Sequence, residues 1–169
     1  SDSSFRIFTW QLMINENSFK HHGAIQMKTN DGSLQLFPLI DKSAEIEKIE
    51  DTVTNNLSWV GAIYYRIIQK EFEKKKSYTL IGYDEFGAES SRKIIDVLQF
   101  VEGKPQFGGN YFILPNDSIK PRNPFRFVME YKKGAGPKLN YDEDLDLIVK
   151  ENLVSPSKEP EKKSTLIDL

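Results

Sequence analysis

Apolar and polar side chains alternate along most of this chain, and a two-residue rhythm is the signature of β-strands. In Phe19–Lys28 the odd positions read Phe19, His21, Gly23, Ile25 and Met27, and the even positions Lys20, His22, Ala24, Gln26 and Lys28. One face is mostly apolar and the other mostly polar, as in a half-buried antiparallel strand. Phe125–Lys132 repeats the pattern, with Phe125, Phe127, Met129 and Tyr131 opposed to Arg126, Val128, Glu130 and Lys132. Further strands are predicted at Phe5–Ile14, Leu34–Leu39, Trp59–Gln69, Ser77–Asp84, Gln106–Leu114, Leu139–Tyr141 and Leu145–Val149. Phe5–Ile14 and Trp59–Ile68 are apolar on both faces and are expected at the centre of a sheet. Turn residues separate the runs at Asn15-Glu16-Asn17, Asn30-Asp31-Gly32, Glu102-Gly103-Lys104 and Gly134-Ala135-Gly136.

Two segments depart from this rhythm. In Ser43–Leu57 the apolar residues Ile46, Ile49, Val53 and Leu57 recur at helical spacing. With Ser43 as N-cap and Glu45 and Glu47 in the first turn, they predict one amphipathic helix. Ser90–Val101 fits either a helical stripe or a strand. Its β-branched density, and Phe100 before a glycine turn, favour the strand. The fold expected is therefore mainly β: an antiparallel sandwich, open barrel or twisted sheet with one short amphipathic helix. Residues 1–154 read as a single domain. The polar, proline-punctuated stretch 155–169 reads as a flexible C-terminal segment. The return to Leu166, Ile167 and Leu169 suggests that the sequence stops short of another packed element.

Composition narrows the chemistry. The 169 residues contain no cysteine, which excludes a disulfide scaffold, a thiol nucleophile and cysteine-held metal. Near balance of 23 Lys+Arg and 25 Asp+Glu argues against a nucleic-acid binder. No apolar run is long enough for a transmembrane helix, and the given residues read as lacking a signal-peptide pattern. The start at Ser1-Asp2-Ser3-Ser4, without Met, reads as a processed or trimmed end.

Several candidate sites are visible, each with a plainer reading beside it. His21 and His22 alternate faces if the strand holds, so they are poorly placed to share an ion. Asp142-Glu143-Asp144-Leu145-Asp146 resembles a hard-cation loop, but an EF-hand needs Gly and Glu where Leu147 and Leu153 stand. A solvated acidic turn is the better reading. Gly134-Ala135-Gly136-Pro137-Lys138 lacks phosphate-loop spacing and reads as a hairpin turn. The run Lys70–Lys76 reads as a solvated loop between two strands. No Gly-x-Ser-x-Gly elbow presents a nucleophile. The acids Asp84, Glu85 and Glu89 would suit a glycosidase only if two of them converge.

The aromatics Trp10, Trp59, Tyr64, Tyr65, Tyr78, Tyr83, Tyr111 and Tyr131 serve either a core or a binding face. The proline-stiffened segment Leu114–Phe125 is the best loop candidate. The residues expected to bind are accordingly Trp59, Tyr83, Asp84, Asn116, Asp117, Arg122 and Asn123. No catalytic residue, metal ligand or cofactor is assigned.

A set of blocks carries a resemblance. They are Ser58-Trp59-Val60-Gly61-Ala62-Ile63-Tyr64-Tyr65-Arg66-Ile67-Ile68, Tyr78-Thr79-Leu80-Ile81-Gly82-Tyr83-Asp84, Ser91-Arg92-Lys93-Ile94-Ile95-Asp96-Val97-Leu98-Gln99-Phe100 and Pro105-Gln106-Phe107-Gly108. Arg126-Phe127-Val128-Met129-Glu130-Tyr131 and Leu139-Asn140-Tyr141-Asp142-Glu143 follow. In this order, over most of residues 4–154, they resemble an uncharacterised family of exported Bacteroidota proteins. Family members often have Gly-Trp-Asp where this chain has Gly82-Tyr83-Asp84, and they usually continue past its last residue. The resemblance implies an extracytoplasmic protein, periplasmic or at the cell surface, with a possible membrane-surface association through a missing signal or anchor. It implies no reaction and no site residues. The expected function is a non-catalytic binding or accessory module for a protein or glycan. The alternatives are a hydrolase acting on an envelope polymer and a structural domain of a larger envelope assembly. The hydrolase would need a cleft that gathers Asp84, Glu85, Asp96, Asp117 or His21 within hydrogen-bond reach.

Overall fold

A computed structural model describes residues 4–72, 74–111, 124–151 and 164–167. The chain is mainly antiparallel β, arranged in three sheets with no closed barrel. Strands β1 (Phe5–Asn15), β2 (Ser18–Met27) and β3 (Gln35–Ile40) form the first sheet in sequential order. The central sheet runs β4 (Thr54–Asn55), β8 (Lys104–Phe107), β7 (Ser90–Val101), β6 (Lys75–Asp84) and β5 (Ile63–Phe72). Its sixth strand, β9 (Phe127–Lys132), pairs with Ser90–Ile95 of β7, while β8 pairs with Leu98–Val101. Strands β10 (Leu139–Asp142), β11 (Leu147–Glu151) and β12 (Ser164–Ile167) form the third sheet.

The alternation read from the sequence explains the layering. On one face of the central sheet, Tyr78, Leu80, Leu98 and Phe107 pack with Ile25 and Leu39 of the first sheet and with Trp59. On the other, Ile68, Ile81, Ile95, Val97 and Met129 meet Leu139, Ile148 and Ile167 of the third. The central sheet is therefore covered on both faces, and both registers of β6 and β7 are apolar. At a bulge in β5 between Tyr64 and Arg66, Tyr64 packs toward the first sheet while Tyr65 donates its hydroxyl to the Leu139 carbonyl of the third, the opposite faces that alternation gives to neighbours. The β7–β8 hairpin turns through Glu102 (φ 51°) and Gly103 (φ 75°), the two left-handed positions of a type I′ turn.

Ser90–Val101 is a strand throughout, and the acidic run Asp142–Asp146 is a turn between β10 and β11. Asp142 Oδ1 accepts the Asp144 and Leu145 N–H groups and closes that turn with its own hydrogen bonds. The basic run Lys70–Lys76 is not a loop: Lys70 and Glu71 extend β5 and pair with Ser77 and Lys76 of β6, and the chain turns only between Phe72 and Lys75, with Lys74 at φ 62°. Within the segment set apart as a tail, Ser164–Ile167 pairs with β11 and buries Ile167.

Two expectations are corrected. Ser43–Leu57 forms no amphipathic helix. It folds as two three-residue 3-10 turns, Ser43–Glu45 and Ile49–Asp51, followed by β4. A helix would use its own carbonyl oxygens internally, whereas here the Ile49 and Thr52 carbonyls accept from the buried Arg126 guanidinium. The Glu50 carbonyl accepts from the Phe125 and Arg126 N–H groups. Ile46 and Ile49 still find an apolar partner, the cluster of Val60, Ala62 and Ile94. Second, β1 and β5 are edge strands, not central ones. The second apolar face of β1 looks outward into solvent.

Candidate functional site

The outward face of β1–β2–β3 has few polar groups. Cross-strand register sets Phe8 beside Ala24 and Pro38, and Trp10 beside His22 and Ile40. Leu12 and Leu36 extend the patch. Phe8, Trp10, Leu12, Leu36 and Ile40 are each about half exposed, Trp10 at 49%. The indole of Trp10 lies over the His22 ring, with centroids 5.9 Å apart and planes 15° from parallel. Together these side chains show on the order of 500 Å² of apolar surface, at the upper end for the largest patch of a monomer. The charged side chains on this face are the exposed cations Arg6, Lys20 and Lys28 around its edge.

A second feature lies on the inner side of β2. His21 is 4% exposed and sits between two carboxylates, with Nδ1 3.4 Å from Asp41 Oδ2 and Nε2 3.6 Å from Asp84 Oδ1. Asp41, one residue past β3, also accepts the His21 N–H at 3.1 Å, the Ser43 N–H at 3.0 Å and the Ser43 hydroxyl. That hydroxyl accepts the Gly61 N–H in turn. Gly61 cannot carry a Cβ here, because the atom would stand 2.6 Å from Asp41 Oδ2 and 2.7 Å from His21 Cβ. The chain therefore closes tightly behind the imidazole, and only Nε2 is left without a hydrogen-bond partner. Nε2 and Asp84 form the floor of a cleft of about 400 Å³, whose walls include Phe19, Lys42, Glu45, Phe86 and Arg92.

The two carboxylates titrate in opposite directions. Burial works to raise Asp41, but hydrogen bonds from His21 and Ser43 outweigh it and hold the group well below the usual carboxylate range. Burial pushes Asp84 up to about 6, against the attraction of His21 and Arg92. The unfolded chain loses this proton near pH 3.9. Between about pH 4 and 6 the folded chain therefore holds a proton the unfolded chain has released, and Asp84 lowers stability as pH rises. Asp41 contributes stability above about pH 4 and loses it below. Asp84→Asn removes the first slope. The variant is expected to gain on the order of 2 kcal/mol over wild type at pH 7.5 and little at pH 4.5, measured by urea unfolding. An equal difference at both pH values would contradict this assignment.

The residues expected from the sequence to bind are dispersed. Trp59 is fully buried, donates Nε1–H to the Tyr64 hydroxyl at 2.9 Å and meets His21 edge-on. It is a core residue, not a surface contact. Tyr83 is half-buried and alternates to the face of β6 opposite Asp84. Of the described residues in the set, Asp84 lines a cleft. Asn116, Asp117, Arg122 and Asn123 lie outside the described residues, with most of Leu114–Phe125. Of the acids named for a hydrolase, Asp96 is locked to Arg126 and Glu85 pairs with Lys133 and the Ser91 hydroxyl. Sequence reading passed over Asp41, although Asp-x-Ser directly after a strand is an Asx-turn signal.

Taken together, fold and surface define a three-layered antiparallel β protein with an uncovered aromatic sheet face and one buried histidine between carboxylates. No family model, no curated protein and no solved structure matches the chain. Among the described residues no helix is long and apolar enough to cross a membrane.

Proposed function

We propose that this chain is a non-catalytic protein-binding module that works outside the cytoplasm. The observation that carries the reading is the uncovered face of Phe8, Trp10, Leu12, Leu36 and Ile40. A patch this apolar and contiguous loses free energy when another surface covers it, whereas scattered single apolar residues such as Leu57 and Leu145 do not ask for a partner. A protein fits better than a glycan. Sugars need amide and carboxylate groups beside the stacking ring, and here the Trp10 ring is flanked by His22, Ile40 and aliphatic side chains. Arg6, Lys20 and Lys28 at the edge favour an acidic rim on the partner. The extracytoplasmic setting rests on the resemblance of the sequence blocks to an exported family.

The alternative, a hydrolase, draws on His21 and Asp84. Glu45, a further acid in that cleft, is tied to Lys42 at 2.5 Å, so the pair has no second acid ready to act with it. An envelope-assembly domain differs from a binding module only in what the partner is, and the same test covers both.

A photo-crosslinking side chain at Leu36 is expected to capture another polypeptide in the producing cell. The same group at Leu145, exposed in the β10–β11 turn, is not. Adding Trp10→Lys should abolish the Leu36 crosslink while leaving unfolding free energy within about 1 kcal/mol of wild type. Equal crosslinking at both positions, or a crosslink that survives Trp10→Lys, would overturn the reading.

A further inference from the structure

The His21 cleft is separate from the apolar face and does not depend on it. Asp41 receives the main-chain N–H groups of His21 and Ser43 and the Ser43 hydroxyl, so it is fixed as an acceptor facing Nδ1. In the neutral tautomer that turns an Nδ1 proton toward Asp41, Nε2 presents a lone pair. That atom is buried and has no hydrogen-bond partner. The nearest polar atom across from it, Asp84 Oδ1 at 3.6 Å, is also an acceptor when ionised. Two buried acceptors facing each other call for a donor between them.

The surroundings select which donor. Among the described residues no group of three His, Cys, Asp or Glu side chains is placed to hold a metal ion. A hydroxyl group brings one hydrogen and a water two, both uncharged, whereas a primary ammonium brings three and also neutralises the carboxylate. Two of the cations near the mouth are already engaged, Lys42 with Glu45, and Arg92 with Glu130 at 3.0 Å while its guanidinium lies 3.0 Å from the centre of the Phe86 ring, and Lys20 alternates to the outer face of β2. Phe19, Phe86 and Ile14 supply apolar wall for an alkyl chain.

We propose that the cleft between the β1–β2 hairpin, the 41–45 turn and the β6–β7 hairpin binds a primary ammonium group, held between His21 Nε2 and the Asp84 carboxylate. The ammonium can come from a small amine or from a lysine side chain of a polypeptide. The charged residues that line the cleft or act on Asp84 are Lys20 from β2, Asp41, Lys42 and Glu45 from the turn after β3, Asp84 from β6, Arg92 from β7 and Glu130 from β9. A proton on Asp84 competes with the ligand. Binding should weaken about tenfold between pH 7.5 and pH 5, given the elevated Asp84 value of about 6.

The test is a titration of the folded chain followed by the imidazole NMR resonances, with n-butylamine and Nα-acetyl-lysine N-methylamide as probes. His22, on the outer face, is the internal control. Saturable shifts at His21 alone, lost in Asp84→Asn, are the expected result. In that variant the new amide can itself donate to Nε2 and fill the gap. A tenfold preference for the capped lysine assigns the polypeptide source, and equal or tighter butylamine binding assigns a small amine. The proposal is overturned if neither amine shifts His21. It is overturned equally if tetramethylammonium, which has no N–H, binds as well, if Zn²⁺ shifts His21 where the amines do not, or if Asp84→Asn binds unchanged.

Discussion

Replacing Arg126 with methionine is expected to lower the unfolding free energy by about 3–5 kcal/mol, the cost of breaking a fully buried ion pair from one side. Arg126 and Asp96 both have no exposed side-chain surface, and Arg126 Nε donates to Asp96 Oδ2 at 2.7 Å. Burial pushes the Asp96 carboxyl up, and Arg126 acts against that push. Without the guanidinium, Asp96 must either stay charged with the Val97 N–H as a remaining donor, or take up a proton. The loss extends further, because Arg126 also binds the Ile49 and Thr52 carbonyls and the Thr54 hydroxyl. It fastens residues 49–54 to the central sheet. The double variant Asp96→Leu/Arg126→Met should recover much of the loss, since apolar replacements remove both desolvated charges together. Urea unfolding of the two single variants and the double variant reads the coupling directly. A cost below about 1 kcal/mol for Arg126→Met would show that the pair is not buried as described.

Trp59→Ala is expected to cost a similar amount, about 3–5 kcal/mol. The ring is wholly enclosed among Ile25, Leu39, Leu80 and Phe107, where the first sheet meets the central one. Its main chain adds to the effect: Trp59 N–H donates to the Ile40 carbonyl, and the Trp59 carbonyl accepts the Lys42 N–H. The residue thus anchors the end of β3 and, through the edge contact with His21, one side of the carboxylate cluster. Trp59→Phe keeps most of the volume but leaves the Tyr64 hydroxyl without its indole donor, and should cost roughly 1–2 kcal/mol. Chemical denaturation of both variants checks the order. If alanine were tolerated as well as phenylalanine, the interface between these layers would not be packed around this ring.

These two residues mark where sequence reading succeeds and where it stops. Alternation identified β2, β6, β9 and the strand character of Ser90–Val101, because a two-residue period is local and the burial it encodes is one-sided or two-sided at each strand. The β7–β8 turn was legible for the same reason, since Glu102-Gly103 needs only its own φ values, whereas the hairpin expected at Gly134–Lys138 is a connection between β9 and β10, strands of two different sheets. Arg126 was not legible. It sits at a polar position of an alternating segment, and only a partner thirty residues away makes its burial tolerable. The same residue explains the helix expected over Ser43–Leu57, where helical spacing was present but the carbonyls were claimed from outside the segment. Two-sided apolarity at Phe5–Ile14 was correctly detected and wrongly assigned to a central strand, because an exposed apolar face and a second core face look alike in sequence. Trp59 fits a core or a surface equally well by type, and its neighbours decide. The His21 cluster needed Asp41 and Asp84 from two other strands, which no local spacing announces.

The central claim is that the outer face of β1–β2–β3 is bare in the isolated chain and covered in use. Oxidative footprinting of Trp10 and Phe8, in purified protein and in the producing cell, tests it most directly. The account predicts strong labelling of both in the purified chain and protection in the cell, with Tyr65 and Tyr111, exposed elsewhere, labelled alike in both settings. Equal labelling of Trp10 in the two settings would contradict it.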